Sequence, residues 1–265
     1  MPDLITFPPG VLTEAPVRLD VLARGDAWFA VDKPAGLLLA PDAFHPDDAP
    51  SIVSAIHAAA TAGKPQLASL GIAGCGRIHA LDAEVGGAAV LATSENAAAS
   101  LRNQLGSGHW EFVFDLVTEA SDAAADEITC ELPIGRHMSQ PRMIVSHRGG
   151  KRCRTTFTRV RRLGTHEVWQ ARTAENRLHQ VRLHAAESGL RIVGEFLYTR
   201  VRPVYLSSIK RRYRPGREEE RPLHPGLGLH ARIIRTRETA EPAIHVESPL
   251  PKTLAALIKR LEARG

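Results

Sequence analysis

Two short segments, far apart along the chain, decide the interpretation of this sequence: Gly76-Arg77-Ile78-His79-Ala80-Leu81-Asp82 and Asn176-Arg177-Leu178-His179-Gln180-Val181-Arg182-Leu183-His184. The first segment offers a carboxylate, Asp82, in a loop bounded by glycines, where a backbone can approach a ligand closely. The second offers a guanidinium, Arg182. Residues 178–184 alternate apolar and polar side chains, which predicts a strand that fixes the direction of Arg182. An acid on a loop and an arginine on a rigid element are typical of a catalytic pair.

The composition indicates a globular protein with a basic surface. The chain has 265 residues, 43% of them hydrophobic, which is enough for one large core or two smaller ones. It has no apolar run of about 18 residues and its first residues lack a signal-peptide pattern, so we expect a cytoplasmic protein with no membrane association. The three cysteines are too few and too scattered for a disulfide framework. A net charge of +5, carried mainly by arginines, favours a nucleic-acid partner.

The pattern of elements favours an antiparallel or mixed sheet over repeated βαβ units, because short strands recur with turns between them. Ser94 is a good N-cap for one of the helices. We predict one domain over residues 17–262, an extension over 1–16, and no separate N-terminal RNA-binding module. The predicted strands are 17–22, 28–31, 110–117, 128–132, 143–145, 155–160, 167–172, 177–183 and 229–234, and the predicted helices are 50–62, 94–105, 183–188 (closed by Gly189) and 254–262.

An aspartate near glycines is most often a turn former that satisfies backbone donors, and that reading applies to Asp82 taken alone. A partnership with Arg182 favours a chemical role, because a nearby guanidinium keeps a carboxylate ionised. An ionised and oriented carboxylate can act as a nucleophile or as a base at a sugar carbon.

The two segments resemble signatures of the RluA-type pseudouridine synthases. Residues 79–87 are similar to the family pattern H-R-L-D-x-x-T-S-G, and residues 176–184 to G-R-x-H-Q-[ILV]-R-x-H. Further blocks follow the family order, which is far more specific than any one motif. They are Asp32-Lys33-Pro34-Ala35-Gly36 for N-K-P-x-G, Ile192-Val193-Gly194-Glu195 to Tyr198 for I-x-G-D-x-x-Y, and Leu229-His230-Ala231 for L-H-A.

The resemblance implies a fold and a set of site residues. The fold would be α+β, with a central, mostly antiparallel mixed sheet flanked by helices. Asp82 would be the catalytic aspartate and Arg182 its salt-bridge partner, while Phe112 would stack on the target uracil in place of a tyrosine. Further substrate contacts are assigned to His79, Val181 and Arg177. The basic loop between Arg200 and Arg221 adds two phosphate-binding candidates, Lys210 and Arg211.

Several residues depart from the family patterns. Ala80 replaces an arginine that in the family is expected to help hold the RNA with its target base flipped out. Val85 and Gly86 replace a threonine and a serine, which removes two hydroxyl groups beside the aspartate. Asn176 stands where the family has glycine. These changes leave the chemical pair and alter its surroundings.

We therefore predict a monomeric enzyme that isomerises uridine to pseudouridine in structured RNA, either ribosomal or transfer RNA. The resemblance implies no cofactor and no metal, and the spacing of His179 and His184 on a strand argues against a metal site. A catalytically impaired RNA-binding paralogue on the same fold is the alternative. A glycoside hydrolase is a weaker one, with Glu84 as the only nearby second carboxylate. The sequence does not distinguish addition of Asp82 to C1′ from proton removal at C2′.

Overall fold

A computed structural model describes residues 3–121, 125–210, 212–214, 216, 218–238 and 240–263. Within these residues the strands are β1 Leu4–Phe7, β2 Val17–Arg24, β3 Trp28–Lys33, β4 Gly76–Arg77, β5 Gly86–Ala92, β6 Trp110–Glu119, β7 Glu127–Cys130, β8 Ile134–Arg136, β9 Met143–Val145, β10 Thr155–Leu163, β11 His166–Thr173, β12 Leu229–Thr236 and β13 His245–Glu247. The helices are α1 Ile52–Thr61, α2 Pro65–Ser69, α3 Glu95–Gly106, α4 Gln180–Glu187, α5 Leu206–Ile209 and α6 Lys252–Glu262.

One large mixed sheet connects both halves of the chain. Its strands follow the order β1-β2-β3-β5-β12-β6-β11-β10-β7, with β4 paired to β5 and β13 paired to β12. Every strand pairing is antiparallel except β5 with β12, which is parallel. Strands β8 and β9 form a separate hairpin. The prediction of an α+β fold with a mostly antiparallel mixed sheet is confirmed.

Helices cover both faces of the sheet. Helices α1 and α3 begin at the N-caps Ser51 and Ser94, whose side chains accept the N–H groups of Ser54 and Ala97. On the opposite side α6 packs an apolar face against the sheet. The apolar face of α6 belongs to a second cluster of buried residues. Its members are Val117, Leu163, Val168, Val193, Val204, Leu254, Leu257, Ile258 and Leu261. None of the helices among the described residues is both long and apolar enough to span a bilayer.

Residues 4–7, within the segment predicted to be an extension, belong to the main sheet. They form the edge strand β1, in register with β2 from Leu4 opposite Asp20 to Phe7 opposite Val17. Ile5 and Phe7 alternate with less buried neighbours and are almost fully buried in the main core. Apolar alternation over only four residues is too short to stand out from the proline-rich surroundings.

The predicted strand over residues 177–183 is wrong, because Arg182 lies on helix α4. His179 precedes the helix in a left-handed conformation with φ of 54°, and the Leu183 N–H donates to the His179 carbonyl at 2.9 Å. Every residue from Gln180 to Ala185 is buried. The helix ends at Ser188, followed by Gly189 with φ of 76°, the closing position predicted from sequence.

Candidate active site

Asp82 lies in the loop between β4 and β5, and two neighbouring segments hold this loop in place. The Gly36 N–H donates to the Ala83 carbonyl at 2.7 Å, and the Lys33 ammonium donates to the same oxygen at 3.0 Å. Gly87 follows the loop with φ of 119°, and a Cβ there would lie 2.2 Å from the Ala231 carbonyl oxygen. Only glycine therefore permits the close parallel contact of β5 with β12 at this point.

The Asp82 carboxylate is buried and accepts hydrogen bonds from two directions. Its Oδ1 accepts the backbone N–H of His179 at 2.9 Å, and its Oδ2 lies 3.5 Å from Nη1 of Arg182. The left-handed conformation of His179 aims this N–H at the carboxylate. The two residues paired by the sequence analysis are thus brought together, and the main-chain contact is the shorter one.

Arg182 contacts three carboxylates while its side chain is only 4% exposed. Its Nε and Nη2 bind Glu195 at 2.6 and 3.1 Å, and its Nη1 lies 3.1 Å from Glu84. Burial disfavours the charged guanidinium, but the hydrogen bonds to Glu195 and the charges of Asp82, Glu195 and Glu84 outweigh it and raise the pKa of Arg182. Arg182 therefore stays cationic beside Asp82.

Glu195 is the closest partner of Arg182, and sequence reasoning missed this role. Its Oε1 also accepts the backbone N–H groups of Leu197 at 2.8 Å and Tyr198 at 3.3 Å, so the carboxylate is fixed from both sides. The signal was present, because Glu195 stands at the acidic position of the I-x-G-D-x-x-Y block. A buried bidentate pair of this kind fixes the orientation of the guanidinium.

His79 lies inside the protein and does not face solvent. Its Nε2 accepts the Val90 N–H at 3.0 Å, which leaves Nδ1 to donate to the Ala80 carbonyl at 2.9 Å. Burial lowers the pKa of His79 to about 4, so the ring is neutral at physiological pH. Asn176, with φ of 29°, donates from Nδ2 to the same Ala80 carbonyl at 2.7 Å. The ring thus helps to hold the Asp82 loop in place, and the substrate contact of His79 stays a prediction.

Phe114, and not Phe112, lines the small cavity at Asp82. Phe112 is 1% exposed and packs between Trp110 and His79, with ring centroids 6.0 and 5.0 Å away. The ring predicted to stack on uracil is therefore a core residue. Side chains alternate along β6, so Phe114 lies two residues further on the same face. The other residues that line this cavity are Leu81, Asp82, Val85, Asn176, Arg177, Gln180, Val181 and Leu229.

The cavity at Asp82 has a volume of about 10 Å³. That space holds one water molecule at most, so a uridine requires the surrounding side chains to move apart. Val181 and Arg177, both predicted to contact substrate, belong to its wall. The Nε of Arg177 is buried and has no hydrogen-bond partner among the described residues. An unpaired donor beside the carboxylate is a natural contact for an incoming polar group.

Lys33 is almost fully buried beside the Asp82 loop. Its ammonium donates to the carbonyls of Pro34, Leu37 and Ala83 at 3.1, 2.6 and 3.0 Å. Burial lowers the pKa of Lys33 to about 7, although the carboxylates of Asp82 and Glu84 act in the opposite direction. Lys33 thereby joins the turn after β3 to the Asp82 loop.

The basic loop after residue 200 begins next to this cluster, where the Val201 N–H donates to the Glu195 carbonyl at 2.8 Å. Lys210 is exposed at the end of α5, and its segment leads to a groove beside Arg260 of α6. Arg211 lies outside the described residues. Across the described part of the chain, no group of three or more His, Cys, Asp or Glu side chains is arranged to hold a metal ion.

Several curated proteins are similar in sequence to this chain. An RNA pseudouridine synthase of Synechocystis sp., itself uncharacterised, is 30% identical over 192 residues, which cover 69% of this chain and 55% of that protein. The ribosomal large subunit pseudouridine synthase D of Pseudomonas aeruginosa is 26% identical over 252 residues, covering 92% and 72%. Its counterpart in Xanthomonas campestris is 32% identical, covering 69% and 52%. The chain thus spans about half the length of two of these relatives.

The fold has a solved counterpart in the human RNA pseudouridylate synthase domain containing 4, with a TM-score of 0.66 and 18% identity over 91% of this chain and 92% of that one. The family described as RNA pseudouridylate synthase matches residues 27–187, which contain both the Asp82 loop and helix α4. The five motif blocks, the fold and the family match all point to the same family. The chain therefore belongs to the RNA pseudouridylate synthase family.

Proposed function

We propose that this protein isomerises uridine to pseudouridine in structured RNA, with Asp82 as the catalytic carboxylate. The observation that carries the proposal is the fixed position of Asp82, which accepts the His179 N–H and lies against a guanidinium clamped by Glu195. Preorganised charge of this kind stabilises a transition state without reorganisation during the reaction. Ribosomal RNA is the favoured substrate, because several relatives are named for the ribosomal large subunit, and transfer RNA is the second candidate.

The reaction breaks the N1–C1′ bond of uridine, turns the uracil, and forms a C5–C1′ bond, while the hydrogen on C5 is replaced and N1 gains a proton. Asp82 acts either by adding to C1′ or by removing a proton at C2′. Arg182 orients the carboxylate, and Phe114 stacks on the detached uracil in the place first assigned to Phe112. Val181 and Arg177 complete the wall that holds the base, and exclusion of water favours recombination of the two fragments. We expect a cytoplasmic monomer that needs neither metal nor cofactor.

A second candidate is an RNA-binding paralogue with impaired catalysis. This alternative is favoured by three replacements near Asp82, namely Ala80, Val85 and Gly86. Compared with the family pattern, they remove a guanidinium and two hydroxyl groups. The retained cluster of Asp82, Arg182 and Glu195 favours the enzyme.

A glycoside hydrolase is disfavoured by the state of Glu84, the other carboxylate on the loop. A general acid at this position would need a raised pKa. Partial burial acts in that direction, but the charge of Arg182 and further contacts outweigh it and lower the pKa of Glu84. Glu84 is therefore a poor proton donor.

The test replaces Asp82 with asparagine and follows pseudouridine in cellular RNA. Pseudouridine-specific sequencing of cells that lack the protein should reveal a lost site in ribosomal or transfer RNA, restored by the wild type and not by Asp82→Asn. Glu84→Gln is the matched control, because it removes a half-exposed carboxylate from the same loop, and it should restore the site. No lost site, or full restoration by Asp82→Asn, would favour the RNA-binding paralogue.

A further inference from the structure

A second groove, of about 470 Å³, lies where the start of β6 meets the ends of β11 and β12. It is distinct from the cavity at Asp82, with which it shares no lining residue. Arginines dominate its charged groups. The residues that line it are Gly108, His109, Trp110, Glu111, Arg154, Arg172, Thr173, Ala174, Glu175, Arg235, Thr236 and Arg237.

The charges of this arginine groove are only partly neutralised. Four arginines face two glutamates, and one glutamate, Glu111, is already paired closely with Arg235. Arg154 lies 3.4 Å from Glu131 in an exposed pair, and such pairs contribute little energy. Arg237 is exposed and makes no ion pair with any described residue. The groove therefore offers guanidinium groups to an anionic partner.

The floor of the groove contains a polar group without a partner. Trp110 is 2% exposed, and its indole Nε1 is buried with no hydrogen-bond acceptor among the described residues. The nitrogen is buried, so a ligand in the groove does not reach it without movement of the ring. Contacts with an anion therefore come from the arginines of the groove, whose guanidinium groups suit phosphate oxygens.

The groove is continuous with a longer basic surface through Arg154. Residues 133–154, which include the β8–β9 hairpin, contain no aspartate or glutamate. Their six cationic side chains are Arg136, Arg142, Arg148, Lys151, Arg152 and Arg154. A free phosphate would need only the groove, whereas a stretch of this length fits the repeated charges of a nucleic-acid strand.

The groove also contacts the elements that hold the catalytic loop. The Trp110 ring stacks on Phe112, which in turn packs on His79 of the Asp82 loop. Glu175 of the groove directly precedes Asn176, whose side chain binds the Ala80 carbonyl. A strand in the groove would therefore lie next to the loop that carries Asp82.

We propose that the arginine groove binds the phosphate backbone of the RNA strand beside the target uridine. The substrate side of this inference rests on the proposed function. Arg154, Arg172 and Arg237 supply the cationic contacts. The groove thereby supplies RNA contacts in place of the family arginine that Ala80 replaces.

The test measures binding of a short fluorescently labelled hairpin RNA across a range of salt concentrations, in an Asp82→Asn background where no turnover occurs. Arg154→Gln with Arg237→Gln should weaken binding about tenfold and reduce the slope of log affinity against log salt by about 1.5, as expected for two lost phosphate contacts. Arg24→Gln with Arg191→Gln is the matched control, because both are exposed arginines that line neither this groove nor the groove beside the basic loop. The control should leave affinity and slope unchanged.

The outcomes distinguish failure of the groove proposal from failure of the proposed enzymatic function. Unchanged RNA affinity and salt slope in the arginine pair would overturn the groove, while loss of pseudouridine in Asp82→Asn would still support the enzyme. Weaker binding in the arginine pair would support the groove even if the wild type formed no pseudouridine. If inorganic phosphate binds in the groove and the variants leave RNA affinity unchanged, the groove is a free-anion site. That outcome would overturn the RNA assignment.

Discussion

Arg182 and Glu195 form a bidentate ion pair in the interior, with Nε–Oε2 and Nη2–Oε1 distances of 2.6 and 3.1 Å. Asp82, the expected partner of Arg182, is 3.5 Å away. The arginine is thus anchored by one carboxylate and presented to another. This arrangement separates the residue that holds the guanidinium from the residue that would perform the chemistry.

Glu195→Gln should destabilise the protein strongly, because it leaves the buried Arg182 without its closest counter-charge. Removal of one partner from a buried pair lowers the free energy of unfolding by about 3 kcal/mol or more. Urea denaturation measures this change. Glu84→Gln, at a half-exposed partner of the same arginine, should change the free energy of unfolding by less than about 1 kcal/mol. Equal losses in the two variants would contradict the assignment of Glu195 as the anchor.

Phe114→Leu and Phe112→Leu should have different effects on the reaction. Both rings are buried, so each variant should lose about 1 kcal/mol of stability. Only Phe114→Leu removes a ring next to Asp82, and loss of base stacking should lower the rate of pseudouridine formation by about tenfold or more. Single-turnover rates per folded molecule give the comparison. A rate loss confined to Phe112→Leu would show that Phe112 is the stacking residue, as inferred from the sequence.

His79 should make the fold sensitive to acid. Its pKa is about 4 in the folded protein, below the ordinary value of 6.5 in the unfolded chain. Between these values the unfolded state binds more protons, so stability is fully present above pH 6.5 and is lost as pH falls towards 4. The contribution reaches about 3 kcal/mol in total.

The measurement is the free energy of unfolding by urea between pH 4 and 7. His79→Gln keeps an acceptor for the Val90 N–H and cannot titrate, so its stability should fall less steeply with acid than that of the wild type. His245→Gln, at an exposed histidine, should follow the wild-type curve. An unchanged pH dependence in His79→Gln would show that this ring is not the titrating group.

Local signals were sufficient for most strands of the sheet and for three of the main helices, α1, α3 and α6. Ser94 caps α3 as predicted. Strand β6 follows the apolar run that begins at Trp110. In each case the residues that determine the element lie within it or directly beside it.

Helix α4 could not be recognised in this way, because its environment and not its periodicity determines it. It is buried around Gln180, Arg182 and His184, whose polar groups find partners on distant segments. Its N-terminus has no side-chain cap and begins after a left-handed His179. The main partner of Arg182 was missed for a related reason, since Glu195 reaches it only after the chain has folded.

The contact between Asn176 and the Ala80 carbonyl joins two departures from the family pattern into a single change. The asparagine adopts a φ of 29°, in the region where glycine stands in the family, and its side chain binds the loop beside the missing arginine. Among relatives, residues at these two positions are therefore expected to covary. Reversion of Asn176 alone would remove the hydrogen bond to the Ala80 carbonyl, so the conformation of the Asp82 loop depends on a residue 96 positions further along the chain.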